Sequence, residues 1–172
     1  MRFRLILSAL ASASIVGCAA YATGPSATAQ LQATRGNNTT GTVRFVQDGE
    51  KVRISGEVRG LRPNSVHGFH VHDKGDCSSG DGMGTGGHFN PGGKPHGQHG
   101  HGEHHTGDLP SLVADAQGVA RFNLVSHSIR VGSGAQEIVG RGLIVHRDPD
   151  DYATQPTGNA GPRLACAVIQ RD

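Results

Sequence analysis

At 172 residues the chain has the length of one ordinary domain. Its 35% hydrophobic content suffices for a single core, and 27 glycines with 8 prolines call for many turns and little helix, so an all-β domain is expected. Two of the 16 basic residues, Arg2 and Arg4, sit in the first 17 positions, which hold no acid; beyond them 14 basic residues face 14 acidic ones, with no net basic footprint for nucleic acid.

The chain opens with "MRFRLILSALASASIVGCAA". Two arginines precede an apolar run from Leu5 to Val16 that is too short to span a membrane, so residues 1–17 read as a signal peptide. Ile15-Val16-Gly17-Cys18 resembles the bacterial lipobox, whose cysteine is diacylated and becomes the new N-terminus. Ordinary cleavage after Ala20-Tyr21-Ala22 stays open as the alternative. Either route exports the protein, with the periplasm as its expected site. A lipid on Cys18 next to Ala19 would anchor it to the outer membrane. Lipidation would also answer the odd count of three cysteines, leaving Cys77 and Cys166 to pair in an oxidising compartment. Closing the 89 positions between them would restrict the unfolded chain by about 4 to 5 kcal/mol in an entropy estimate.

Residues 18–27 are small and polar and read as a tether, and 28–172 as the domain. Period-2 alternation predicts strands over 28–34, 41–47, 51–59 and 65–72, then over 109–115, 118–126, 138–146 and 163–170. Eight short strands predict a sandwich or barrel with Greek-key connections.

Between Asp73 and Asp108 the pattern fails for about 35 residues rich in Gly and His, and loops of that length in a compact domain are usually functional or disordered. Within it "GMGTGG" (82–87) matches a dinucleotide fingerprint, but no apolar strand precedes it and no helical pattern follows. "GGK" (92–94) fails as a phosphate loop because Pro95 stands where Ser or Thr is needed. Asn37 and Asn38 lie in N-x-T sequons, which a bacterial leader makes poor candidates for glycosylation.

His70 and His72 are two apart on a predicted strand, so their side chains leave the same face, about 7 Å apart from the ~3.3 Å rise per residue. Alone, such a pair is as well explained by surface histidines. The loop adds His88, His96, His99, His101, His104 and His105, and His146 closes the apolar "GLIVH". Rigid imidazoles on strand ends, completed by a loop, are what zinc and copper sites are built from.

Five stretches now carry a specific likeness: "GFHVHDKGDC", "GGHFNPGGKPHG", "HHTGDLPSL", "GRGLIVHRDPDD" and "GNAGPRLACAVI". In that order and spacing they resemble the signatures of the Cu/Zn superoxide dismutases, especially the exported bacterial branch. The resemblance covers nearly the whole of the chain beyond the leader and implies an eight-stranded Greek-key barrel or sandwich, an architecture this family shares. It implies disproportionation of superoxide to O₂ and H₂O₂ with one copper and one zinc per chain. Copper would be held by His70, His72, His88 and His146, and zinc by His88, His96, His105 and Asp108, with His88 shared as a bridging imidazolate and proton carrier. The choice of His105 over His104 follows the family arrangement His-x-x-Asp.

By the same resemblance Asp150 would link His70 to His96 by hydrogen bonds. His67 would support the site, or else be a buried histidine bonded to backbone. Arg163, three positions before Cys166, would guide the anion, with the Cys77–Cys166 bridge limiting its freedom. His99, His101 and His104 add nothing to the pattern and read as solvated loop, with a weak metal-capturing role as the alternative. Only 17 positions separate His146 from Arg163, a short form of one family loop, while the segment from Cys77 to His88 is expanded. Two other classes compete: a metal buffer without turnover and a metal-free adhesion module. The sequence leaves open whether the chain acts alone or as a homodimer.

Overall fold

The computed structural model describes residues 24–172, so the signal peptide and most of the tether lie outside the described residues. Its strands are β1 (Ser26–Ala33), β2 (Thr40–Asp48), β3 (Lys51–Arg59), β4 (Val66–His67), β5 (Phe69–His72), β6 (Leu112–Val113), β7 (Ala120–Ser126), β8 (Gly142–His146), β9 (Arg163–Val168) and β10 (Gln170–Arg171). Helical structure among the described residues is a single 3₁₀ turn, Met83–Thr85. Eight strands form one antiparallel sheet in the order β5-β8-β9-β1-β2-β3-β7, with β10 against β1, and β4 pairs β6 in a separate ribbon. That ribbon joins the two ends of the sheet, since β4 runs on into β5 while β6 lies against β7. Inside the closed curl Phe69 and Phe122 meet edge to face, 5.7 Å between centroids.

The alternation that predicted the strands is the alternation of burial. Ala27, Ala29 and Leu31 of β1, Val43 and Phe45 of β2, and Val52, Ile54 and Val58 of β3 all point into the core. The β2–β3 hairpin turns on Gly49-Glu50, with Gly49 at φ +59°, the sign a type II′ turn needs at its first central residue.

Each predicted strand segment contains a strand, but several are shortened or cut. The one expected over 65–72 breaks at Gly68, which accepts from His146 N at the end of β8 and donates to Asp148 O past that strand. The last breaks at Ile169, whose N–H goes to Arg141 O instead of the ladder. The segment over 138–146 begins only at Gly142, because Arg141 N closes a turn onto Ile138 O.

The long loop after Asp73 is pinned along β5. Phe89 N donates to Val71 O (2.9 Å), and Val71 N to Gly107 O (2.8 Å). Isolated bridges set His88 beside His72 and Asp108 beside His70. A Cβ on Gly107 would collide with Val71 O, so only glycine permits this approach. The loop's first part is also stapled by the Cys77–Cys166 disulfide to β9.

Candidate metal centre

His70 and His72 leave one face of β5, and both are fully buried. His146 ends β8, the neighbour of β5, just after a register shift between Val145 and His146, an irregularity of the kind that re-aims a side chain. His88 comes in from the loop. One ring nitrogen of each of the four lies within 4.8 Å of the others.

The hydrogen bonds decide which nitrogen that is. A carbonyl oxygen only accepts, so His72 Nδ1 donates to Gly86 O (3.0 Å) and His146 Nδ1 to Gly161 O (3.0 Å), leaving both Nε2 lone pairs free. Those two Nε2 atoms face each other at 3.4 Å. His70 Nε2 is committed to Asp150 Oδ2 (2.7 Å), and His70 Nδ1 is buried without a partner. His88 Nε2 is likewise buried and unpartnered. Four lone pairs therefore converge on one point, an arrangement costly unless a cation satisfies it. Burial holds the imidazolium forms of His72 and His146 well below their ordinary range, and takes His88 down to about 4 against the opposing pull of Asp108. At neutral pH all three are neutral and able to ligate a metal.

The second group uses the other side of His88. Its Nδ1 lies 2.8 Å from Asp108 Oδ1 and 3.4 Å from His105 Nδ1. His96 Nδ1 is 3.1 Å from Asp108 Oδ2 but makes no hydrogen bond there, and is the third unpartnered buried nitrogen. His88, His96, His105 and Asp108 form a compact, buried set of three nitrogens and one carboxylate oxygen. Asp108 is oriented by N–H donors from His105 (2.9 Å) and Gly97 (3.2 Å). Burial alone would raise its pKa, but the imidazoles of His105, His88 and His96 close around it hold it far below the usual carboxylate range.

Asp150 ties the two groups together, as expected: Oδ2 accepts from His70 Nε2 and Oδ1 from His96 Nε2 (2.8 Å). Such outer contacts fix ring orientation and tautomer. Burial opposes ionisation of Asp150, yet the two imidazoles and Tyr152 N–H keep it well below the ordinary range. Burial also works against charge on His96, but Asp108 and Asp150 outweigh it and raise the ring to about 9, so a metal binding at Nδ1 must displace a proton.

Sequence reasoning missed several supports. Gly158, at φ +62°, leaves room for the Asp150–His96 bond, which any Cβ would invade. Gln155 clamps the His96 backbone, accepting from its N–H (2.8 Å) and donating to its carbonyl (2.9 Å). The carbonyls of Gly86 and Gly161 leave no trace in a sequence, since every residue has one; Gly158 does lie within "GNAGPRLACAVI".

Arg163 starts β9 and shares a cavity of about 230 Å³ with His72, His146, Met83, Thr157 and Pro162. Its restraint is more direct than a neighbouring disulfide. The guanidinium donates to Gly82 O, to Thr85 Oγ1 (2.7 Å) and to Gly86 O (2.6 Å). His67 is buried, bonded through Nδ1 to the carbonyl of His146 (2.8 Å) and through Nε2 to Ser65 Oγ (2.6 Å).

His105 enters the second group and His104 does not. His104 Nδ1 donates to His105 O (2.8 Å), which turns its ring out of the group. The expectation of merely solvated loop histidines is corrected for His99 and His104: both are half-buried, and His99 Nδ1 lies 2.9 Å from Asp108 O. Both rings fasten the loop to its own backbone, whereas His101 is exposed.

A family model described as copper/zinc superoxide dismutase matches residues 39–169. The chain belongs to the copper/zinc superoxide dismutase family. It is 43% identical over 135 residues to "Superoxide dismutase [Cu-Zn]" of Paramecium bursaria Chlorella virus 1, covering 75% of this chain and 71% of that protein. It is 44% identical over 136 residues to "Superoxide dismutase [Cu-Zn] 2" of Brassica juncea, covering 75% and 88%. Among solved structures, one titled as the crystal structure of the clock protein EA4 matches with a TM-score of 0.78 and 40% identity, over 88% of this chain and 97% of that one. The barrel described above is thus the copper/zinc superoxide dismutase fold, copper and zinc are the family's cofactors, and the two buried groups fit one of each.

Proposed function

We propose that this chain disproportionates superoxide, with copper held by His70 Nδ1 and the Nε2 atoms of His72, His88 and His146, and zinc by the Nδ1 atoms of His88, His96 and His105 with Asp108. The observation that carries the reading is the sharing of His88, one nitrogen in each group. Four imidazoles suit copper, and a closed set of three nitrogens and a carboxylate suits structural zinc. Copper bound there supplies the one-electron couple that oxidises one superoxide and reduces another, while zinc supplies fixed charge without redox change.

The protein's own groups do the rest. Forming H₂O₂ consumes two protons, and His88 Nε2 is placed to hold one and pass it to the reduced dioxygen, the other coming from water. Asp150 accepts from His70 Nε2 and His96 Nε2 and so turns both Nδ1 atoms toward the two groups. Arg163, cationic at any working pH, draws the small anion into the cavity beside His72 and His146. Metal analysis of the purified protein paired with superoxide decay should give one copper and one zinc per chain with rapid turnover. Both metals bound without turnover would favour the metal buffer.

The same reading extends to place. The leader, the lipobox-like "IVGC" and a disulfide suited to oxidising surroundings support export to a bacterial envelope, with the enzyme tethered through Cys18 and protecting that compartment from superoxide. The viral and plant relatives are silent on this, so it rests on the leader and the expanded Cys77–His88 segment. Labelled fatty acid should enter the wild-type protein and not Cys18→Ser; two equally unlabelled proteins would mean ordinary signal cleavage.

A further inference from the structure

Three acceptors receive the Arg163 guanidinium, and two are backbone carbonyls that any sequence would offer. The third is the hydroxyl of Thr85, fully buried in the 3₁₀ turn. Thr85 Oγ1 donates its own proton to Gly82 O (2.9 Å), which aims an oxygen lone pair at Arg163 Nη1. Its backbone is held too, with Lys74 N donating to Thr85 O (3.0 Å) and Thr85 N to Gly82 O (3.2 Å). On the other side its methyl packs against Gly142, where an added Cβ would strike Cγ2. The nearest covalent anchor, Cys77, stands eight positions earlier in the chain, so the disulfide leaves this turn to hold itself.

We propose that Thr85 is the positioning residue that fixes the Arg163 guanidinium at the mouth of the cavity for a small anionic substrate. The inference rests on the guiding role given to Arg163 above. The Thr85 hydroxyl adds a third acceptor beside the Gly82 and Gly86 carbonyls, so the guanidinium is oriented before the anion arrives and need not be ordered by it. Without that hydroxyl, Nη1 keeps only the Gly82 carbonyl and Nη2 the Gly86 carbonyl, so the planar fork is held by two bonds instead of three and is less closely fixed.

The test uses full-length, metal-loaded protein and sodium azide as the anion probe, read by the visible absorption of bound copper, alongside the salt dependence of superoxide decay. Thr85→Val keeps the shape and removes the hydroxyl, and Thr85→Ser keeps the hydroxyl. Valine should raise the azide Kd and lower kcat/KM by about three- to tenfold, the worth of one hydrogen bond to a charged group only partly lost, and should flatten the salt dependence at unchanged metal content. Serine should remain within about twofold of wild type, because the bond to Arg163 survives. Arg163→Ala serves as the reference. If Arg163→Ala is impaired and Thr85→Val is not, or if serine fails as badly as valine, the assignment of Thr85 is wrong while that of Arg163 stands. If Arg163→Ala itself binds azide and turns over like wild type, both fall.

Discussion

His88→Ala should damage both metal sites at once and lower turnover by about 10² to 10⁴, the range a positioned proton donor contributes, even before the metals are lost. The expectation follows from geometry: Nδ1 of this one ring faces Asp108 and His105, and its Nε2 is unpartnered among His70, His72 and His146. Among the described residues no other belongs to both groups. Replacing it removes a ligand from each set of four and leaves the remaining lone pairs without the ion that offsets their burial. His88 lies in the loop outside the named strands, so far-ultraviolet circular dichroism should keep its β-sheet form. Metal analysis by mass spectrometry should show substoichiometric copper and zinc together. Zinc held at full stoichiometry in His88→Ala would break the shared-ligand assignment.

Arg163→Glu should lose turnover by a similarly large factor while leaving the seven side chains of the two groups in place. Fields of this kind raise association rates by about 10 to 10³, a range drawn in part from this family itself, and reversing the charge removes the attraction and adds repulsion. The structure adds a second cost. A carboxylate at this position would face Gly82 O, Thr85 Oγ1 and Gly86 O, all of which now accept from the guanidinium. Gly86 O also accepts from His72 Nδ1, so metal content must be measured in the same samples. Arg163→Lys should fall between, since one ammonium keeps the charge but not the planar fork. Added salt should slow the wild type by screening, with a Debye length of about 10 Å at 0.1 M, and should slow the Glu variant less or speed it. A Glu variant that works as fast as wild type at full metal content would end the guiding role.

Much of this molecule is legible in its sequence. Alternation in "GTVRFVQ" and "KVRISGEVR" became β2 and β3 in nearly the expected bounds, because one face of each strand packs on the core and the other meets water. The spacing of His70 and His72 sufficed to put two imidazoles on one face, because side chains alternate along a strand. The shorter segments were less faithful. "LPSLVAD" kept only Leu112–Val113 as strand, and "IVGRGLIVH" lost its first four residues to a turn, because pairing partners elsewhere in the chain set where a ladder begins.

The local sequence determined which residues could ligate and which segments could pair. Family resemblance supplied the division of ligands. Tertiary structure alone decided which nitrogen of each histidine is open, because that depends on where the other one donates: His72 to Gly86 O, His146 to Gly161 O, His70 and His96 to Asp150. It also decided that His104 turns away while His105 turns in, and that Arg163 rests on the Thr85 hydroxyl. These are hydrogen bonds between groups up to 80 positions apart. A sequence records the donors and acceptors available, but their partners are set only when the chain closes and each buried polar group must be satisfied within reach.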